Sequence, residues 1–242
     1  MPLAHCAAWK KSGPALNNAD HCPAAAAPDR GCVQLDLYCE RVAPGLLGEP
    51  LNALTNLAFF YAALLVWRAA GRRLDMRVLA TLLATIGVGS ALFHTLASPL
   101  AQLCDVIPIA LLQLVYLHLY LRRVLSLGPY AAAACLLLYI LALALASRTG
   151  MVLNGSLAYG PAALALVILG VLHYRLRARR EVLLAALLFM VSLVARSVDL
   201  ALCVQWPLGT HFLWHLLNAV VLAVLLLAYR SATDTMPLPA AD

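Results

Sequence analysis

Long apolar runs alternate with short polar segments along most of the chain. Seven of these runs come close to the ~20 residues that an α-helix needs to cross a bilayer. The predicted spans cover residues 50–67, 74–96, 105–123, 129–146, 156–172, 182–202 and 211–229. The pattern predicts an all-α fold, a polytopic membrane protein with a seven-transmembrane-helix bundle.

The same pattern divides the chain into three regions. Residues 1–35 are polar and rich in Pro and Ala, and we expect a flexible extracytoplasmic tail there. Residues 36–230 form the seven-helix domain, and residues 231–242 form a short cytoplasmic tail.

Composition agrees with a chain solvated mainly by lipid. Hydrophobic residues make up 64% of the sequence and charged residues only 12%, whereas soluble domains carry about 25% charged residues. The net charge of +6 predicts no nucleic-acid partner, because excess Lys and Arg in a membrane protein usually mark cytoplasmic loops.

The arginines predict the orientation. The loops after spans one, three and five are rich in Arg, whereas those after spans two and six have none and that after span four has Arg148 alone. By the positive-inside rule, the N-terminus lies outside and the C-terminus lies in the cytoplasm.

This topology brings polar residues from distant parts of the sequence to one depth near the outer face. Chance placement would have spread them over both faces, so their convergence predicts a site. The residues concerned are Asp36, Glu40, Glu49, Asn52, Ser90, His94, Asp105, Asp199, His211 and His215.

Three histidines of this group predict a metal site. His211 and His215 are four residues apart, so they share one face of a helix, and His94 ends span two at the same depth. Zn²⁺ suits such ligands, and three protein ligands with a position open to water are typical of catalytic zinc. Zinc would make a hydroxide nucleophile available at neutral pH.

Two further residues are candidates for catalysis. Asp105, which we place at the start of span three, would act as general base or orient the water; the alternative is that it ligates the metal directly. Ser90 lies one helical turn before His94, and its hydroxyl could donate to a developing oxyanion. Arg196 and Asp199, three residues apart on span six, are expected to pair with each other.

Together the motifs resemble those of a known family. Ser90-x-x-Phe-His94, Asp105 and His211-x-x-Trp-His215 resemble the alkaline ceramidases and their bacterial relatives. These belong to a superfamily of seven-span membrane proteins that includes the adiponectin and progestin receptors. The resemblance implies a zinc-dependent amidase that hydrolyses ceramide to a sphingoid base and a fatty acid, with His94, His211 and His215 as zinc ligands.

The resemblance also implies features of the segment before span one. In the animal enzymes an acidic, Cys-containing segment binds Ca²⁺, and Asp36, Glu40 and Glu49 look like its ligands. The alternative interpretation is that Glu40 and Glu49 cap span one and pair with a neighbouring Arg. The family further implies a disulfide between Cys39 and Cys203.

The function predicted is thus a zinc-dependent lipid amidase acting on a ceramide-like substrate in the bilayer. A bacterial inner membrane with the site facing the periplasm is the expected location. Two alternatives stay open: a lipid ester or lipid-anchor hydrolase of the same superfamily, and a receptor-like protein with structural zinc, which would need four protein ligands.

Overall fold

A computed structural model describes residues 34–43 and 45–234 of the chain. Residues 1–33 of the predicted tail 1–35 lie outside the described residues. The helices are α1 (Pro50–Thr55), α2 (Leu57–Ala70), α3 (Leu74–Leu96), α4 (Pro99–Arg123), α5 (Pro129–Ala146), α6 (Gly160–Arg177), α7 (Glu181–Leu202) and α8 (His211–Asp234). Short 3₁₀ turns follow α5 and precede α6.

Among the described residues, seven helices are long and apolar enough to cross a membrane, which confirms the predicted fold class. The first of them, Pro50–Ala70, combines α1 and α2, which meet at Asn56. Pro50 occupies the first turn of α1, where its missing N–H leaves no hydrogen bond unmade. The orientation of the termini stays a prediction.

The largest difference from the predicted spans is the start of the third. Helix α4 begins at Pro99, because the Ser98 side chain accepts a hydrogen bond from the Ala101 N–H and Pro99 occupies the first turn. A Ser followed by Pro is a favourable helix start. Asp105 therefore lies in the second turn of α4 and not at its beginning. At the other end of the chain, α8 continues to Asp234.

Successive long helices pack against one another, and α8 also packs against α1, α2 and α3. Helix α8 is thus near the centre of the bundle. Helix α5 is the opposite case, because only 11% of its apolar stretch is buried inside the bundle. This exposure agrees with its sequence of Ala and Leu. The bundle therefore has one helix at its centre and another exposed to lipid.

The two ends of the bundle carry different polar groups. One end holds Asp75, which pairs with Arg73 and Arg123 and accepts a hydrogen bond from Tyr229. The opposite end, where α3 finishes and α8 begins, is called here the histidine end. It is covered by the N-terminal segment, residues 34–43 and 45–49, whose Leu35 N–H donates to the Ala97 carbonyl.

Candidate metal centre

Three imidazoles lie together at the histidine end. One ring nitrogen from each of His94, His211 and His215 lies within 4.8 Å of the others. The His94 and His215 Nε2 atoms are 3.1 Å apart. All three side chains are buried. The structure therefore brings the three predicted ligands together, although they come from helices far apart in the sequence.

Helix ends determine where these rings lie. His94 is in the last turn of α3, His211 is the first residue of α8, and His215 follows one turn later. The buried Asp199 carboxylate of α7 accepts hydrogen bonds from the N–H groups of Thr210 (2.6 Å) and His211 (2.9 Å). An acidic side chain at a helix N-terminus satisfies donors that the helix itself leaves unpaired. Asp199 thus holds the start of α8, where the ligands lie.

The predicted Arg196–Asp199 pair is wrong. The Arg196 guanidinium instead lies over the rings of Tyr38, Tyr159 and Trp214, at 5.5, 5.4 and 5.3 Å. It also donates to the Tyr38 hydroxyl. Asp199 faces the backbone of the next helix, whereas Arg196 is accommodated by aromatic faces, which attract cations.

Two of the imidazoles are held by polar side chains from the start of the first span. Glu49 Oε2 lies 2.5 Å from His94 Nδ1, and Thr55 Oγ1 lies 2.9 Å from His215 Nδ1. Such partners fix the orientation of a ligating histidine and leave its other nitrogen for the metal. The His211 Nδ1 atom is buried with no hydrogen-bond partner, and the Tyr38 ring stacks on this imidazole at 3.6 Å.

The donor set fits a zinc ion. Imidazole nitrogens are common zinc ligands, and the unpartnered His211 Nδ1 is a buried polar atom of the kind that a metal or a water would satisfy. Among the described residues the cluster supplies three protein ligands, which leaves room for water in the coordination sphere. The identity of the metal stays a prediction.

Ser90 and Asp105 are brought together by the close approach of α3 and α4. A Cβ atom at Gly89 would lie 1.9 Å from the Cys104 carbonyl oxygen, so only glycine permits this contact. The adjacent Ser90 is buried, and the Asp105 carboxylate lies near enough to Ser90 and His94 to interact with both side chains. The two predicted catalytic residues therefore lie beside the histidine cluster.

The carboxylates predicted to bind calcium have other partners. Glu40 accepts hydrogen bonds from the Leu51 and Asn52 N–H groups at 2.5 and 2.8 Å, which caps α1. Glu49 pairs with Arg41 at 2.6 Å. Asp36 is exposed. Among the described residues, the histidine cluster is the one convergent group of three or more metal-ligating side chains.

These contacts do not fit a calcium ion shared by the three carboxylates. They agree with the alternative interpretation, helix capping by Glu40 and an Arg–Glu pair. Burial raises the pKa of the Glu40 carboxyl despite its two N–H donors. Burial also acts to raise the pKa of Glu49, but the hydrogen bonds and charges of His94 and Arg41 lower it overall. Glu49 is thus a carboxylate at neutral pH.

A disulfide joins Cys39 to Cys203, with 5.2 Å between the two Cα atoms. This confirms the pairing that the resemblance implied. It connects the N-terminal segment to the residue that follows α7. The Cys39 N–H also donates to Asp199 at 3.0 Å, so the segment and the start of α8 are held by the same side chain.

An apolar pocket lies among the helices of the bundle. Its lining includes Phe59, whose ring centroid is 6.2 Å from that of His215, and Trp214, the residue before His215. The lining continues along α4, α6 and α8 through Leu112, Ala165 and Leu225. Pockets lined mainly by apolar side chains are typical sites for apolar ligands, so this one suits the hydrocarbon part of a lipid beside the cluster.

Several residues of the site were not found in the sequence. The sequence predicts Glu49 as a calcium ligand or a helix cap and not as a partner of His94, and it indicates no role for Thr55 or Tyr38. Their partners lie at least 45 residues away in the sequence, so no local spacing indicates these contacts. The Glu49-Pro50 start of a helix was a signal for the position of Glu49, but not for its contact with His94.

The sequence matches a family of known proteins. The family model described as Ceramidase matches residues 37–239. No curated protein gives a significant match. The matched range contains all seven helices and every residue of the histidine cluster.

Proposed function

The chain belongs to the ceramidase family, and from this membership we propose that it is a zinc-dependent lipid amidase. Its reaction would be hydrolysis of the N-acyl bond of ceramide to a sphingoid base and a fatty acid. Family membership itself supports the coarser statement of a ceramidase-type hydrolase; zinc, the amide bond and the ceramide substrate are the proposal.

One observation carries the proposal: three buried imidazoles with nitrogens within 4.8 Å of one another adjoin an apolar cavity. Metal-ligating side chains and a cavity for hydrocarbon are the two requirements for hydrolysing a lipid inside a membrane. A transmembrane bundle with neither a substrate cavity nor metal ligands would support only a structural or signalling role.

The histidines would hold the metal, and other residues of this chain would handle protons and the substrate. A bound zinc ion would lower the pKa of a water molecule to about 7 and polarise the carbonyl. The Asp105 carboxylate would accept the proton of that water and deliver it to the leaving nitrogen. The Ser90 side chain, which lies near Asp105, would help to hold that carboxylate in position; its role toward an oxyanion stays a prediction.

The cavity would determine how the substrate is oriented. Its apolar lining would hold the acyl chain, while the amide group lies at the histidine cluster next to Phe59 and Trp214. The sphingoid base would leave toward the histidine end. With the orientation predicted from the arginines, this end faces the outside, which in a bacterium is the periplasm.

Release of fatty acid from matched amide- and ester-linked lipids tests the proposed reaction. The purified chain should hydrolyse ceramide in detergent or in vesicles, and a zinc chelator should abolish the activity until zinc is restored. Preference for the ester-linked lipids would favour the lipid ester or anchor hydrolase. The absence of turnover on every lipid, with zinc bound, would favour the receptor-like alternative.

Zinc content of histidine variants tests the ligands separately. His211→Ala and His215→Ala should each lose the zinc that elemental analysis finds in the unaltered protein, because the remaining two imidazoles bind it weakly. His118→Ala, toward the C-terminal end of α4 and outside the cluster, is the matched control and should keep its zinc. Full zinc content in both cluster variants would refute the assignment.

A further inference from the structure

Arg41 is a buried cation at the histidine end. Its side chain is 2% exposed, although the removal of an arginine from water is costly unless its charge is compensated. The Nε atom donates to Glu49 Oε1 at 2.6 Å. The Nη1 and Nη2 atoms donate to the carbonyls of Gly45 and His94 at 3.3 and 3.1 Å.

Arg41 contacts the histidine cluster by two routes that meet at His94. The first is direct, through the His94 carbonyl oxygen. The second passes through Glu49, whose other oxygen, Oε2, lies 2.5 Å from His94 Nδ1 and accepts from the Asn52 side chain at 3.1 Å. The guanidinium therefore fixes the carboxylate that holds the imidazole and the backbone that carries it.

The guanidinium of Arg41 occupies space that is free because Gly48 has no side chain. A Cβ atom at Gly48 would lie 2.5 Å from Arg41 Nη1 and 3.0 Å from the Ala43 carbonyl oxygen. The guanidinium thus lies directly against the backbone of the N-terminal segment. Its planar shape and several donors allow it to contact a carboxylate and two carbonyls at once, which an ammonium group could not match.

We propose that Arg41 is a positioning residue that holds His94 for metal binding, and that its guanidinium takes the place predicted for a calcium ion in the N-terminal segment. Both a guanidinium and a calcium ion bring positive charge to carboxylate and carbonyl oxygens. Here Arg41 does so from within the chain. The proposal rests on the proposed function, since it takes His94 as a metal ligand.

Two consequences distinguish this role from a purely structural ion pair. Loss of Arg41 should weaken zinc binding through Glu49, because loss of the partner of a ligating histidine commonly lowers metal affinity about 10- to 100-fold. In addition, calcium should affect neither the stability nor the zinc affinity of the unaltered protein, because two of the three predicted ligands, Glu40 and Glu49, already accept hydrogen bonds from other groups.

The test measures zinc affinity of the full chain by competition with a chromogenic chelator in detergent. Arg41→Gln should lower the affinity about tenfold or more, and Arg41→Lys should lose less. Glu49→Gln should lose at least as much as Arg41→Gln. The double variant Arg41→Gln/Glu49→Gln should lose less than the sum of the two single losses, because both single variants break the route through Glu49.

Arg73→Gln is the matched control, since Arg73 pairs with Asp75 and Asp234 at the other end of the bundle. It should keep the zinc affinity of the unaltered protein. Gly48→Ala retains both charges of the pair but crowds the guanidinium, and less closely the Ala43 carbonyl oxygen, so it should weaken zinc binding even where Arg41→Gln does not fold.

The outcomes separate this inference from the proposed function. Unchanged zinc affinity in the folded Arg41 and Gly48 variants would overturn it, as would a rise in the melting temperature of the unaltered protein on calcium addition. Absence of zinc from the unaltered protein would instead overturn the proposed function. Loss of zinc in Arg41→Gln with additive loss in the double variant would show that Arg41 does not act through Glu49.

Discussion

Individual residues of the histidine cluster are held in unequal ways. His94 and His215 face each other through Nε2, and their Nδ1 atoms lie against Glu49 and Thr55. His211 lies under the Tyr38 ring and has a buried Nδ1 atom without a partner. Glu49 carries a charge and Thr55 does not, so His94 receives the strongest electrostatic support of the three.

At this scale the first prediction concerns Asp105. Asp105→Asn keeps the size of the side chain but removes its ability to accept a proton, so turnover of ceramide should fall about 10²- to 10⁴-fold. Zinc content should stay at the level of the unaltered protein, because the three imidazoles remain. Normal turnover in this variant would exclude Asp105 as the base, and loss of zinc would make it a ligand.

The sequence predicts the residues that carry the chemistry better than those that position them. The spacing of His211 and His215 indicates one helix face, and the predicted topology places His94 beside them. Glu49 and Arg41 act only after the N-terminal segment has folded over the histidine end. Their contacts depend on a loop, and the spacing of residues in a loop carries no periodic signal.

At the scale of elements, helix ends determine the site. Helix α8 begins at a ligand, α3 ends just after another, and the carboxylate of α7 caps the start of α8. The sequence predicts most of these ends from apolar runs. It misplaces the start of α4, because Gln102 and Asp105 interrupt the apolar run that follows the Ser98-Pro99 signal.

Asp199 should be important for the stability of this helix start. Asp199→Ala removes the acceptor of the Thr210, His211 and Cys39 N–H groups, and buried donors without an acceptor cost about 1–3 kcal/mol each. We expect a lower melting temperature and weaker zinc binding. Ser147→Ala, on the exposed 3₁₀ turn after α5, should change neither quantity.

The disulfide should stabilise the same region. Replacement of Cys39 and Cys203 by Ser should lower the melting temperature, since a disulfide typically contributes ~2–4 kcal/mol. Intact mass with and without reductant measures the pairing directly. Cys104→Ser alters an exposed free cysteine and is the control. Equal melting temperatures for all these proteins would show that the bond adds no stability.

At the scale of the whole molecule, the bundle combines a polar end with an apolar interior. The seven spans follow directly from the hydrophobic pattern, because few other structures satisfy the backbone in lipid. The cavity does not follow from that pattern, since its lining residues are as apolar as those that face lipid. Only the packing of α4, α6 and α8 distinguishes the two sets.

The cavity should determine which acyl chains are accepted. Ala165→Trp adds a large side chain to its lining and should shift hydrolysis from long-chain to shorter-chain ceramides in a competition assay. Ala134→Trp, on the exposed face of α5, adds the same side chain toward lipid and should preserve the original preference. An unchanged preference in both variants would place the acyl chain elsewhere.

The separation of the ligands along the chain has a consequence for biosynthesis. His94 and His215 are 121 residues apart, and Glu49 lies further toward the N-terminus still. No nascent chain can assemble the cluster until its final helix has left the ribosome and joined the bundle. Metal uptake should therefore follow complete insertion, and a chain truncated before α8 should reach the membrane without acquiring activity.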